Sequence, residues 1–302
     1  MLSGRRSVAH QKSLEVARIP RQEEGDFRRS EFREGRMSGQ DQAKQGSPAV
    51  GFSMTPAQEW RDRLARPLAQ TVLPFFRRYP YRGPCSLFHL NLRGAFSPTD
   101  RFFYNRIPKA ANTTISKLLA KHSDYQRPWG SRGDKGRMLR PAHMSRAQVE
   151  ALASGEVFRF LIVRDPYARV LSAYQDKFLR KRRQVDRYGA MMESAPGEVP
   201  SFAAFCRFLD RGGVWRDAHW APQSALMLLP LDAYDLIGRV ETLDQDMATL
   251  VQRIWGIAPE PVEFAGTRTG ASKAVEQAYD DESRAIVARL YRDDFELFSY
   301  QA

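Results

Sequence analysis

Three apolar segments of this chain each run into a short turn and then a helical pattern, and that repetition constrains the fold more than any other feature. The clearest is Phe158-Arg159-Phe160-Leu161-Ile162-Val163, nearly continuous in apolar residues. Strict alternation suits a strand with one wet face, whereas a continuous run suits a strand buried on both faces, as in a parallel sheet. Arg164-Asp165-Pro166 then turns the chain into a helix on which Tyr167, Val170, Leu171, Tyr174 and Phe178 recur at helical spacing. Residues 101–107 form an aromatic-rich strand that leads through Pro108-Lys109 to a helix over 112–121, with Ile115, Leu118 and Leu119 on one face. The third unit is a strand over 234–240, then Glu241-Thr242-Leu243 and a helix ending near Trp255, with Gly256 as its stop. Strands alternating with helices predict an α/β fold, a single domain whose central parallel β-sheet is flanked by helices.

Residues 1–55 are rich in Arg, Glu, Gln, Gly and Ser and hold no sustained period of 2 or 3.6. They bury too little apolar surface to offset their ordering entropy, so a disordered basic tail is predicted there. The folded domain is predicted over 56–302, opening with a short helix over 56–64 that has Pro56 in its first turn. A chain of 302 residues, 42% of them hydrophobic, can build one substantial core and needs no second domain. The net charge of +12 points to an anionic partner: nucleic acid, an acidic membrane surface, or a small molecule bearing phosphate or sulfate. No stretch reaches the roughly 18 apolar residues of a membrane span, and no apolar run of signal-peptide length opens the chain, so a soluble, cytoplasmic protein is expected. Cys85 and Cys206 lie too far apart in sequence to suggest a metal knuckle or a redox pair.

The turn Pro108-Lys109-Ala110-Ala111-Asn112-Thr113-Thr114 sets small and hydroxylated residues at the start of a helix. Free backbone N–H groups and the positive end of the helix dipole make such a place an anion cradle, to which Lys109 adds a compact charge. A Pro-initiated turn with an ordinary cap fits the same residues. A Gly-x-x-x-x-Gly-Lys run followed by Ser or Thr occurs nowhere in the chain, which lowers a nucleotide-kinase reading. At the second strand end, Arg164 can grip a phosphate through two parallel N–H bonds, and Ser172 lies about two helical turns later. Taken singly, Arg164 serves equally as a partner of Asp165, and Ser172 as a neutral helix residue.

Together the two segments, Arg106-Ile107-Pro108-Lys109 to Thr114 and Phe160 to Tyr174, closely resemble the Golgi carbohydrate sulfotransferase family and its bacterial relatives. Blocks at 217–223, 234–243 and 290–300 look like those of the chondroitin and HNK-1 type branch, so the resemblance runs from about Phe102 to Tyr300. Animal members carry an N-terminal membrane anchor and several cysteines, which this chain does not show. The resemblance implies a P-loop-like sulfotransferase fold and transfer of a sulfuryl group from 3′-phosphoadenosine 5′-phosphosulfate (PAPS) to a hydroxyl, with a carbohydrate the favoured acceptor. It assigns the 5′-phosphosulfate to Arg106, Lys109, Ala110, Ala111, Asn112, Thr113 and Thr114, and the 3′-phosphate to Arg164 and Ser172.

Attack by a hydroxyl needs a general base with a pKa near neutral. His143, upstream of the second strand, and His219, in the His-Trp block, are the two candidates by resemblance, and a partly buried, hydrogen-bonded histidine is the plain alternative for each. Lys109 is the third catalytic candidate, following the bridging oxygen as the sulfuryl group leaves. Glu241 reads as a helix-start acid, and Lys181-Arg182-Arg183 as a basic run able to seat an anionic acceptor. No metal is required by this scheme. A nucleic-acid-binding protein would share the charge but lacks any helix-turn-helix, zinc or RNA-recognition signature.

Overall fold

The computed structural model describes residues 56–126, 134–180, 184–258 and 270–302. The predicted tail, 1–55, and the basic run 181–183 lie outside the described residues.

A four-stranded sheet has the order β1-β2-β3-β4, with β1 Gly94–Ser97, β2 Phe102–Asn105, β3 Phe158–Val163 and β4 Leu236–Arg239. The three strands read from the sequence are β2, β3 and β4, and they run parallel. The parallel sheet is completed by an antiparallel edge, since β1 pairs Gly94 with Asn105 and Ser97 with Phe102. Four residues, Gly-Ala-Phe-Ser, are too few to show a period, so β1 escapes a reading of the sequence alone.

Side chains alternate across the sheet as a strand requires. Phe103, Leu161 and Val163 face Phe75, Val149 and Leu152 on one side. Phe102, Tyr104, Phe160 and Ile162 face Ile115, Leu119, Leu243, Met247 and Leu250 on the other. Both faces are therefore dry over Phe160–Val163, which is why the strand reads as a nearly continuous apolar run. Each of these side chains contributes about 1.5–3 kcal/mol by leaving water. A further cluster, built on Tyr167, Val170, Phe178, Phe205, Trp220 and Tyr291, packs beside the helix that follows β3.

The helices explain which residues meet at the top of the sheet. Asn112–His122 follows β2, and Pro166–Tyr174 follows β3. Asp165 caps the second of these, its Oδ1 accepting from Ala168 N at 2.8 Å. That helix widens into a π-helical turn over Gln175–Arg180. Leu243–Trp255 follows β4 and stops at Gly256, whose φ of 68° is the left-handed conformation expected of a helix-ending glycine. The first helix runs over Pro56–Val72, beyond the predicted stop at residue 64, and carries Pro67 inside it. Cys85 and Cys206 are free and buried. Among the described residues no helix is long and apolar enough to cross a membrane.

Candidate active site

At the end of β2, Asn105 is buried, and its Oδ1 accepts from Tyr234 Oη at 2.6 Å and from Leu228 N at 2.7 Å. The turn beyond it is strained. Lys109 has φ 67° and Ala111 φ 50°, left-handed values that cost side-chain-bearing residues roughly 1–3 kcal/mol each. A completely buried guanidinium holds the turn in place: Arg169 donates from Nε to Pro108 O at 3.0 Å, from Nη1 to Ala221 O at 2.7 Å and from Nη2 to Ala218 O at 3.3 Å. Burial lowers the pKa of Arg169, and the buried Asp294 carboxylate opposes that shift.

The strained turn delivers an uncapped helix. Ala111 makes no side-chain cap, and the first intrahelical bond is Ile115 N to Ala111 O at 3.0 Å. The N–H groups of Asn112, Thr113 and Thr114 therefore have no acceptor within the helix and point from its positive end.

Those residues line a cavity of about 280 Å³ at the carboxyl ends of β2 and β3. Of the residues predicted from sequence, Lys109, Ala111, Asn112, Thr113, Thr114, Ser172 and His219 share its wall. Sequence reasoning missed Lys135, Asp176 and Lys177, which complete it. Lys135 Nζ donates to Thr113 Oγ1 at 3.0 Å. Asp176 Oδ2 lies 3.3 Å from Lys109 Nζ and 3.7 Å from Lys177 Nζ. Burial pulls the Lys109 ammonium down to about 8, opposed by Asp176 and assisted by Lys177 and Arg164. The signal for Asp176 is its place one helical turn after Ser172, on the same face.

His219 is the histidine of this wall. Its Nδ1 sits 2.5 Å from Asp217 Oδ1, which also accepts from the His219 backbone N–H at 2.9 Å. Gln184 Nε2 donates to the other carboxylate oxygen at 2.9 Å. A carboxylate on Nδ1 fixes the proton there and leaves Nε2 as the basic nitrogen. Burial lowers the pKa of His219 more than Asp217 raises it, so the ring is neutral at pH 7. Burial would raise Asp217, but its contacts with His219 bring it below the usual carboxylate range.

The remaining candidates lie elsewhere. His143 is exposed on the short turn Pro141–His143 and does not line the cavity, because that turn packs against β1 on the far side of the sheet's first edge. Arg106 is buried and donates to Lys135 O at 2.6 Å and Gly94 O at 2.8 Å, so it braces the turn from below and lies off the wall. Ala110 is fully buried in the core. Arg164 lies under the turn, its Nη1 reaching Lys109 O at 3.4 Å, while its buried Nε has no hydrogen-bond partner. Gln223 clasps the Arg164 peptide, accepting from its N–H at 3.0 Å and donating to its carbonyl at 2.8 Å. Asp294 fixes that clasp by accepting from Gln223 N at 2.7 Å and Ser224 N at 2.8 Å. Glu241 joins Asp165 N at 3.0 Å to Tyr300 Oη at 2.9 Å, a structural bridge between the β3 turn and the end of the chain. Among the described residues no cluster of His, Cys, Asp and Glu is arranged to hold a metal ion.

A parallel sheet with an uncapped, lysine-bearing helix start at its carboxyl edge is the frame of a protein that holds an anionic group-transfer donor. The comparisons narrow that class. The chain belongs to the sulfotransferase family, whose model matches residues 94–301. Carbohydrate sulfotransferase 14 of Mus musculus is 30% identical over 225 residues, covering 66% of this chain and 58% of that protein. Carbohydrate sulfotransferase 10 of Homo sapiens is 28% identical over 233 residues, covering 67% of this chain and 65% of that protein. The chain thus matches less than two thirds of the length of either relative. Both are animal proteins and lend the bacterial side of the resemblance no support. No solved structure matches the chain.

Proposed function

We propose that this protein transfers the sulfuryl group of PAPS to a hydroxyl of a carbohydrate. The observation that carries the reading is one cavity wall on which a half-buried lysine, an uncapped helix start and a carboxylate-oriented histidine meet. The names of the relatives favour a carbohydrate acceptor.

The chemistry follows from what each group can do. The N–H groups of Asn112 to Thr114 and the Thr113 and Thr114 hydroxyls receive the 5′-phosphosulfate oxygens. The resemblance gives the 3′-phosphate to Ser172, which lines the cavity, and to Arg164, which lies beneath the turn with its buried Nε unbonded among the described residues. A cavity of about 280 Å³ is at the small end of ligand clefts, so it takes the charged end of the nucleotide and leaves the acceptor at its mouth. His219 Nε2 accepts the acceptor's hydroxyl proton as that oxygen forms its bond to sulfur. The bond from sulfur to the bridging phosphate oxygen breaks in line, and Lys109 meets the charge that develops on the departing oxygen. The products are a sulfate ester and adenosine 3′,5′-bisphosphate.

Two measurements test the reading. Adenosine 3′,5′-bisphosphate should raise the melting temperature, as any ligand of the native state does. Labelled PAPS should pass its sulfate to members of a glycan panel. Transfer from ATP with magnesium, and none from PAPS, overturns the proposal.

A further inference from the structure

One carboxylate stands in a cavity otherwise built for anions. Asp176 lies within 3.3 Å of the Lys109 ammonium and 3.7 Å of that of Lys177, and only a small part of its side chain, 13%, is exposed. It stands within the π-helical turn Gln175–Arg180, which begins one residue before it. Turns of this kind interrupt α-helices mostly at functional positions. A negative charge at this point opposes the phosphosulfate it faces, so it weakens donor binding unless it does something for the cation beside it.

We infer that Asp176 is a positioning residue for Lys109: it holds the ammonium charged and in place before the donor enters, and gives it up to the donor's bridging oxygen afterwards. The inference rests on the sulfuryl-transfer reading above. The groups that face Lys109 are Asp176 and Lys177 from the π-helical turn and Arg164 from the end of β3, while Lys135 and His219 border the same cavity from the other walls. Of these, only Asp176 favours the charged ammonium. Burial, Lys177 and Arg164 all favour its loss of a proton. Without the carboxylate the lysine would discharge at a lower pH, and the site would lose its cation as well as its competitor.

These two effects have opposite signs and separate with pH. Asp176→Asn and Asp176→Glu are compared with wild type in calorimetric binding of adenosine 3′,5′-bisphosphate from pH 6 to 9 and in kcat and KM for PAPS. At pH 6, with Lys109 charged throughout, the Asn variant should bind the bisphosphate on the order of tenfold more tightly, because an opposing charge is gone. At pH 8.5 that advantage should shrink to nearly nothing, because the variant's lysine is then neutral while part of the wild type's keeps its charge. The alkaline limb of kcat/KM should move to lower pH by about one unit in the Asn variant and stay in place in the Glu variant. An Asn variant whose affinity relative to wild type is the same at every pH overturns the inference and leaves Asp176 a packing residue. If the Asn variant melts below the assay temperature, the Glu variant decides, and a shifted limb there overturns the inference. If wild type itself does not bind the bisphosphate, the sulfuryl-transfer reading falls first, and this falls with it.

Discussion

The cavity wall and the aromatic cluster behind it are made from the same stretches of chain, and neighbouring residues divide between them. Ser172 faces the cavity while Leu171 and Ala173 are buried on the cluster side. Asp176 and Lys177 face the cavity while Phe178 is fully buried. His219 faces the cavity while Trp220 has no exposed surface and packs its ring 5.5 Å from Phe205 and 5.7 Å from Tyr188. The indole N–H of Trp220 also donates to Gly213 O at 2.9 Å, and its carbonyl accepts from Tyr291 Oη. One side carries strained backbone and opposed charges; the other carries large rings in close contact. Stability and chemistry are thus separated by a single residue step along the chain, and the rings hold the polar groups where the reaction needs them.

That division can be broken or sharpened by variants on either side. The largest effect expected is from His219→Ala, which should lower kcat by about 10²–10⁴-fold while leaving bisphosphate affinity and melting temperature near wild type. Its neighbour Trp220→Ala should do the reverse, costing about 3–5 kcal/mol in urea unfolding with a smaller loss of turnover per folded molecule. Similar stability losses in the two variants would show that wall and cluster are not separable. A finer test is the pH profile of kcat/KM, which reports the free enzyme. His219 must be neutral to act, and its pKa lies below 6.5, so activity should rise as pH increases through that lower value. Lys109 must be charged, so activity should fall as pH rises through about 8. The smallest effect belongs to His143→Ala, expected within about twofold of wild type in both turnover and donor affinity. A collapse of activity there would move the base off the cavity wall.

Much of this frame was legible in the residues because it depends on local pattern. The run Phe158–Val163 announces a strand buried on both faces, and Pro108 to Thr114 announces a helix start able to receive an anion. What the sequence hid depends on distant parts of the chain meeting. His143 and His219 both carry suggestive motifs, and the fold sets His219 on the cavity wall beside Lys109. Asp176 shares the helix face of Ser172, four residues before it, whereas no spacing marks Lys177 as part of the wall. Lys135 reaches Thr113 across 22 positions of sequence, a separation at which no spacing rule operates. Pro67 is the usual sign of a break, yet the first helix continues through it.

Arg169 reads in sequence as a polar residue of an apolar helix, and in the structure its side chain touches both halves of the site. A guanidinium is a rigid planar fork, so the three carbonyl oxygens it gathers, at Pro108, Ala218 and Ala221, keep a common spacing that the single ammonium of a lysine could not impose. The interval between the donor's seat and the base is therefore inherited from one residue and leaves little room to drift. Under the proposed sulfuryl transfer, a change of acceptor would then leave this spacing untouched and fall on residues outside the fork's reach.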